Sequence, residues 1–286
     1  MLKIATSDAP QTLTLDGVQL RYYTSGDPAN PPVIMVHGWA SYHGIWAGTM
    51  DSLQDRYYCI TLDLPGHGDS DKPSDADYSI EAQGRRVLAL ADALGLERFT
   101  LMGHSMGGQI ALCIAGMLAP ERVERLVDVS GVAAAKLMPV VESQVYPMVW
   151  LVAQLPWMMA FNRWVTRFRP AAWFYFGRMW YYDIKRVPRA VWYRDSRYSY
   201  QDGAIHAIYA CGQAIHNLDL TSYLPQIQAE TLVIFGKQDG TVPVSDGHLA
   251  AERIPHSQLT LFDECGHFPM VEHPVAFQDT VRKFLA

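Results

Sequence analysis

The sequence predicts an α/β protein with a mainly parallel, doubly wound sheet. Two observations support this fold class: short, nearly continuous apolar runs of strand length, and helical patterns that alternate with them. The six apolar runs lie at 31–38, 57–63, 99–103, 123–131, 231–236 and 257–262. Such runs suit strands buried on both faces, and strands that alternate with helices imply a parallel sheet.

A hairpin and three helices are predicted beside these strands. Residues 13–25 alternate about the dipeptide Asp16-Gly17, which favours a tight turn between antiparallel strands. Helices are expected at 79–96, where apolar residues recur at helical spacing, at 105–118, which is apolar nearly all round, and at 274–285. Loops at the carboxyl ends of the strands are expected to hold the ligand.

The alternation of strands and helices stops between residues 132 and 223. This stretch has no convincing strand pattern, and prolines interrupt it at 139, 147, 156, 170 and 188. Residues 146–200 also contain 17 of the 33 aromatic residues of the chain. We therefore predict a sheet core formed by residues 1–131 and 224–286, and a helical lid over 132–223 inserted after the sixth strand.

Composition narrows the classes of function. The chain of 286 residues is 49% hydrophobic and 18% charged, as expected of a globular protein. Its net charge of −6 disfavours nucleic acid as a partner, since phosphates require a basic surface. The longest apolar stretch, 145–161, is broken by prolines and is too short to span a membrane. The four cysteines form no metal-binding pattern and the first residues resemble no signal peptide, so a cytoplasmic, metal-free protein is expected.

The motif Gly103-His104-Ser105-Met106-Gly107 carries the strongest chemical signal. It stands between a predicted strand and a predicted helix, where a tight turn would project the Ser105 hydroxyl above the sheet. Glycines on both sides leave room for that turn. A G-x-S-x-G pattern also occurs by chance, but this setting favours Ser105 as a nucleophile.

A serine nucleophile needs a base and a group that orients the base. Asp239 follows the fifth apolar run and His267 follows the sixth, so both lie on loops at the same sheet edge as Ser105. We predict that these three residues form a triad, with Asp128 as the alternative acid. His104 adjoins the nucleophile but is expected to point away from it.

Acyl transfer also requires hydrogen-bond donors for the oxyanion. One is predicted to be the backbone N–H of Met106, directly after Ser105. The other is predicted to be the N–H of Trp39, in the loop after the first apolar run. The alternative explanation of His37-Gly38-Trp39 is a simple tight turn, but its position at the same sheet edge favours the donor.

Taken together, these segments resemble the α/β-hydrolase superfamily. The resemblance rests on VIMVHGWA, ITLDLPGHGDSDKP, LMGHSMGGQIAL, IFGKQDGTVP and ECGHFPMVEHP, and is greatest to lidded esterases, lipases and carbon–carbon-bond hydrolases. It implies an α/β-hydrolase fold and a cofactor-free triad of Ser105, Asp239 and His267, with Trp39 and Met106 as oxyanion donors. The chain departs from epoxide hydrolases and haloalkane dehalogenases, which carry Asp at the elbow, and it lacks an HGGG motif.

The composition of the lid bears on substrate and partner. Most of its aromatic side chains are expected to form the lid's own core, while others line the passage to Ser105 and favour an apolar acyl chain or aromatic group. Residues 163–197 contain nine Arg or Lys and two Asp, a net charge of +7. These charges are either solvated surface or contacts to an anionic membrane or acidic acyl carrier, as in the similar pimeloyl-carrier methyl esterases.

Two classes of function fit the sequence. The first is hydrolysis of a small-molecule carboxylic ester, with lactone or carbon–carbon-bond hydrolysis on the same triad as the alternative. The second is a non-catalytic ligand-binding receptor of the same fold, which the intact triad disfavours.

If the basic segment attracts an anionic surface or carrier, hydrolysis of an ester presented there should weaken as salt is added, because salt screens exposed charges. Replacing Arg163, Arg167 and Arg169 with Gln should remove this salt sensitivity without changing turnover of a small neutral ester. Initial rates over a range of ionic strength test the expectation. A salt-independent rate in the parent protein would leave the arginines as solvated surface.

Overall fold

A computed structural model describes residues 10–15, 17–155, 157–158, 161, 177, 180–185, 187, 198 and 201–286. Eight strands of this part form one sheet in the order β1-β2-β4-β3-β5-β6-β7-β8. The strands are β1 (Gln11–Leu15), β2 (Val18–Ser25), β3 (Pro32–Val36), β4 (Tyr58–Asp63), β5 (Phe99–His104), β6 (Val123–Val129), β7 (Glu230–Gly236) and β8 (Ser257–Phe262).

The pairing of the strands confirms the predicted fold class. Strand β2 is antiparallel to β1 and β4, whereas every other pair of neighbours is parallel. Each of the six apolar runs contributes one of the strands β3 to β8. The predicted hairpin is also present, with Leu15 paired to Val18 and Gly17 at a φ of 81°, while Asp16 lies outside the described residues.

Helices cover the sheet, and the three that the sequence predicts are among them. They are α1 (Ala47–Leu53), α2 (Ile80–Ala93), α3 (Met106–Cys113), α4 (Tyr146–Gln154), α5 (Ala204–Asn217), α6 (Val244–Arg253), α7 (Pro269–Glu272) and α8 (Pro274–Leu285). The Ser79 hydroxyl caps α2 by accepting the N–H of Ala82 at 3.2 Å. A π-helical turn, Ile114–Leu118, continues α3 to the predicted end of that helix.

Helix α6 has no counterpart among the predicted helices, and Gly247 gives a physical reason. Glycine in a helix interior costs about 1 kcal/mol relative to alanine, so it weakens the helical signal. In the structure a Cβ at Gly247 would lie 2.6 Å from the ring of Phe235 in β7. The glycine thus allows the helix to pack directly on the sheet.

Apolar layers on both faces of the sheet form the core. On one face, side chains such as Ile34 and Leu101 pack with α2, α3 and α6. On the other face, Met35 and Met102 pack with α1 and α8, including the fully buried Phe277. Because both faces are covered, the central strand β5 is buried at all six of its positions.

Residues 132–223, which make up most of the chain between β6 and β7 and which we call the inserted segment, contribute α4 and α5. No strand occurs among its described residues. Near its start, the Met138 N–H donates to the Thr241 carbonyl of the core at 2.8 Å, and the Leu220 N–H donates to the Ala133 carbonyl at 2.9 Å, which ties the two ends of the segment to each other. Arg163, Arg167 and Arg169 lie outside the described residues, as do most of the basic stretch 163–197 and many of the aromatic positions.

All four cysteines, Cys59, Cys113, Cys211 and Cys265, are buried and form no disulfide.

In the part of the chain that the structure describes, no helix is long and apolar enough to cross a membrane. The cytoplasmic location stays a prediction.

Candidate active site

Ser105 occupies the turn between β5 and α3 in a strained conformation. Its φ of 57° and ψ of −119° are uncommon for a residue with a side chain. Two backbone bonds hold it there: its N–H donates to the Val129 carbonyl at 2.9 Å, and its carbonyl accepts the Gln109 N–H at 3.0 Å. The turn that the G-x-S-x-G motif predicts therefore exists, with Ser105 at its apex.

The two glycines of the motif are required by close backbone contacts. A Cβ at Gly103 would lie 2.1 Å from the carbonyl oxygen of Gly107. A Cβ at Gly107 would in turn lie 2.3 Å from the carbonyl oxygen of Val36 in β3. Neither contact could be relieved by a side-chain rotation, because the obstructing atoms belong to the backbone.

The structure brings His267 and Asp239 together. His267 Nδ1 lies 2.8 Å from Asp239 Oδ2, and both side chains are buried. The other oxygen, Asp239 Oδ1, accepts the N–H groups of Thr241 at 2.8 Å and Val242 at 3.0 Å. Since an ionised carboxylate only accepts hydrogen bonds, Nδ1 carries the proton of a neutral His267 and Nε2 is left with its lone pair.

His104 supports the backbone of His267, a role that the sequence reasoning missed. His104 Nε2 lies 2.8 Å from the His267 carbonyl oxygen, and the two rings are 4.7 Å apart. Burial holds the pKa of His104 well below its usual range, so the ring is neutral. It can therefore donate one hydrogen bond from Nε2 to the carbonyl. Its position directly before Ser105 was the only available sequence signal.

The loop after β3, which carries the predicted donor Trp39, lies against Ser105. A Cβ at Gly38 would lie 2.9 Å from Ser105 Cβ, so this backbone passes directly against the turn at Ser105. His37 braces the loop, since its Nε2 accepts the Leu64 N–H at 3.0 Å and its Nδ1 lies 2.8 Å from the Gly38 carbonyl. Burial lowers the pKa of His37 to about 4, which keeps this ring neutral.

The two predicted donors occupy different settings. Met106 is the first residue of α3, where a backbone N–H has no acceptor within its own helix. Trp39 follows Gly38, and its indole Nε1–H donates to the Ile208 carbonyl of α5 at 2.6 Å. The inserted segment thus fixes the side chain of one predicted donor.

A sequence model described as alpha/beta hydrolase fold matches residues 31–274. The chain belongs to the α/β-hydrolase family.

Proteins that are similar to this α/β hydrolase are named for several different activities. It is 30% identical over 270 residues to 3-oxoadipate enol-lactonase 2 of Acinetobacter baylyi, with 94% of each chain covered. It is 29% identical over 251 residues to a pimeloyl-[acyl-carrier protein] methyl ester esterase of Nitrosomonas europaea, covering 86% of this chain and 92% of the relative. Its fold resembles that of a membrane phospholipase A, with a TM-score of 0.77, 26% identity and coverage of 97% and 85% of the two chains.

A second buried His–Asp pair braces the loops of this α/β hydrolase and was not anticipated. His43 Nδ1 lies 2.9 Å from Asp63 Oδ1 at the end of β4, and the ring stacks on Tyr23 with centroids 3.6 Å apart. The same carboxylate accepts the backbone N–H groups of His43 at 2.7 Å and Asp69 at 2.9 Å. The motif DLPGHGDS, which contains Asp63 and Asp69, was its only sequence signal.

Asp128, the alternative acid, occupies a different environment from Asp239. Two glycines pack against its carboxyl group. A Cβ at Gly131 would lie 1.9 Å from Asp128 Oδ1, and a Cβ at Gly108 of α3 would lie 2.5 Å from the same oxygen. Neither carboxyl oxygen has a hydrogen-bond partner among the described residues. Burial and the nearby charge of Asp246 raise the pKa of Asp128 to about 7.

This buried carboxyl should make the stability of the protein depend on pH. The folded state keeps the proton of Asp128 up to a pKa of about 7, whereas the ordinary value is 3.8. Stability should therefore fall as pH rises between these values and stay reduced above them, because the unfolded state ionises first. The Asn side chain of Asp128→Asn is uncharged at every pH. The free energy of unfolding of this variant should therefore exceed that of the parent by little at pH 4 and by on the order of a few kcal/mol at pH 8.

Urea unfolding of both proteins at the two pH values measures this difference. Asp279→Asn, which changes an exposed carboxyl, serves as the matched control. An Asp128→Asn advantage that is the same at both pH values would contradict the titration of Asp128 in the folded protein.

Proposed function

We propose that this α/β hydrolase cleaves a carboxylic ester through an acyl-enzyme intermediate on Ser105. The observation that carries the proposal is the 2.8 Å contact between His267 and Asp239, on the sheet edge where the strained turn presents Ser105. This arrangement provides a nucleophile, a base and a group that orients the base. Because family membership alone does not fix an activity, the proposal rests on these three side chains.

The proposed reaction has two steps. Ser105 Oγ attacks the ester carbonyl carbon while its proton passes to His267 Nε2, and the alcohol then leaves with that proton as its C–O bond breaks. In the second step a water molecule gives a proton to the same nitrogen and attacks the acyl carbon. The bond between the acyl carbon and Ser105 Oγ then breaks, the carboxylic acid departs, and His267 Nε2 returns the proton to Ser105 Oγ. Asp239 stabilises the imidazolium that forms in each step.

The backbone N–H groups of Met106 and Trp39 are proposed to bind the oxyanion. Charge develops on the carbonyl oxygen in both tetrahedral intermediates, and preorganised donors lower the energy of these species. The close approach of Gly38 to Ser105 supports this role for the loop that carries Trp39. The start of α3 supports the role of Met106, because a helix N-terminus favours negative charge.

Lactone or carbon–carbon-bond hydrolysis is the alternative on the same triad. The similarity to an enol-lactonase favours a lactone as the competing substrate. In that case the alcohol would remain tethered to the acyl group after the first step. Rates with a nitrophenyl ester and a lactone of equal size distinguish the two reactions. A non-catalytic receptor would turn over neither.

We propose that the inserted segment forms the helical lid and that it selects an apolar acyl or aromatic group. Its α5 reaches the predicted oxyanion loop, since the Trp39 side chain bonds to Ile208. Large apolar side chains are also exposed on this segment, with 46% of Trp150 and 64% of Trp157 accessible. Exposed tryptophans next in sequence to a basic stretch support contact with an anionic lipid surface, with an acidic acyl carrier as the competing partner.

Ser105→Ala should lower kcat for a nitrophenyl ester by about 10³-fold or more, because the members of a triad act as a unit. His267→Ala should be nearly as inactive, and Asp239→Asn should also lose activity. A fluorophosphonate should label the parent protein on the peptide that contains Ser105, as detected by mass spectrometry. Labelling of a different serine in an active protein would contradict the assignment of Ser105 as the nucleophile. Full activity of Asp239→Asn would contradict Asp239 as the acid of the triad and favour Asp128 instead.

The preference for acyl-chain length tests the proposed role of the inserted segment. Each methylene that becomes buried contributes about 0.8 kcal/mol at most, or roughly fourfold in kcat/KM. In a series of nitrophenyl esters, kcat/KM should therefore climb from acetate to at least hexanoate and then level off where the predicted passage to Ser105 ends. A flat series would mean that the aromatic residues are only the core of the segment.

A further inference from the structure

Residues 180–182 of the inserted segment run directly against the loop that carries His267. The Trp180 carbonyl accepts the His267 N–H at 2.8 Å. A Cβ at Gly266 would lie 2.7 Å from that carbonyl oxygen and 2.8 Å from the backbone nitrogen of Tyr182. The two backbones are in contact at Gly266, and a larger residue would push them apart.

The carboxylate of Glu272 joins the two sides of this contact. Its Oε1 accepts the N–H of Gly266 at 2.8 Å, and its Oε2 accepts the N–H of Tyr182 at 2.8 Å. Glu272 itself stands at the end of α7, a few residues after His267, and its own N–H donates to the Phe268 carbonyl at 2.9 Å. Hydrogen bonds to an ionised carboxylate are roughly twice as strong as neutral ones.

These bonds complete the set that fixes His267. Asp239 holds the ring, His104 holds the carbonyl and Trp180 holds the N–H. Glu272 holds the preceding residue, Gly266, and keeps it next to the segment that contains Trp180. Loss of this bond would free the loop on the side where the inserted segment docks.

We propose that Glu272 is a positioning residue for His267, and that it makes the orientation of the base depend on the docking of residues 180–182. The inference rests on the proposed role of His267 as the base. The carboxylate matters because both of its oxygens accept hydrogen bonds, whereas an amide has one accepting oxygen and one donating nitrogen. Glu272→Gln therefore keeps the size of the side chain but places a donor against one of the two N–H groups.

The kinetic test uses a small neutral ester and the fluorophosphonate. In Glu272→Gln, kcat and the rate of Ser105 labelling should both fall about tenfold, while KM stays within about twofold, because a misplaced base slows the chemical step without changing binding. The control is Asp279→Asn, which removes the same charge from an exposed position on α8 and should leave both rates unchanged.

Hydrogen exchange gives a readout that does not depend on activity. Peptides that cover residues 180–183 and 264–268 should exchange faster in Glu272→Gln, and both should change together, because one side chain protects both. The remaining peptides and the melting temperature should stay close to those of the parent, which separates loosening of this contact from general unfolding.

Gly266→Ala disturbs the same contact between Gly266 and residues 180–182, but at the glycine rather than at the carboxylate of Glu272. Its methyl group should displace residues 180–182 and slow Ser105 labelling by a similar factor. In the double variant with Glu272→Gln, the two effects should not multiply, since both act through one contact.

The outcomes separate this inference from the proposed function. A parent protein in which the probe never labels Ser105 would overturn both. A parent that is labelled, together with a Glu272→Gln variant that reacts and exchanges at the parent rate, would overturn only the positioning role. Faster exchange in just one of the two peptides, or fully multiplicative effects in the double variant, would also overturn it.

Discussion

The architecture of the site depends on backbone segments that pack too closely to admit side chains. Gly103 and Gly107 allow the turn at Ser105 to form, and Gly38 allows the loop after β3 to cross it. Gly236 does the same at the end of β7, where a Cβ would lie 2.1 Å from the Gly266 carbonyl. These contacts hold four loops at one sheet edge in fixed relative positions. The uncommon backbone angles of Ser105 persist because its surroundings leave no other path for the chain.

The inserted segment is tied into this framework rather than attached at its two ends alone. Gln109, one turn after Ser105 in α3, donates from Nε2 to the carbonyls of Ile215 at 3.0 Å and Leu218 at 2.9 Å. At Gly212 of α5, a Cβ would lie 3.0 Å from the Trp39 ring. Helix α5 therefore forms a wall beside Ser105, since moving it would break bonds to α3 and to the loop that carries Trp39.

The sequence allowed the sheet and the loops of the site to be predicted because each rests on a local signal. Strands buried on both faces are mostly apolar, as in β5 and β7, and Asp239 follows β7 after two residues. His267 lies in the loop after β8, an edge strand whose apolar run is only partly buried. The residues that hold the loop of His267 in place have no local signal in the sequence. Glu272 meets Tyr182 across 90 residues, and His104 meets the carbonyl of His267 across 163. Only the folded chain brings such partners together, so no reading of spacing could have predicted them.

The four buried cysteines bear on how the fold responds to the redox state of its surroundings. Burial raises the pKa of Cys59, Cys113 and Cys211 to about 12 and also raises that of Cys265. At neutral pH these thiols hold almost no thiolate, which is the form that reacts with disulfides, peroxides and alkylating agents. Because none of the four forms a bridge, the described structure neither gains a crosslink under oxidising conditions nor loses one under reducing conditions. Its stability comes from packing and hydrogen bonds without a covalent crosslink, so the same fold is available in either redox environment.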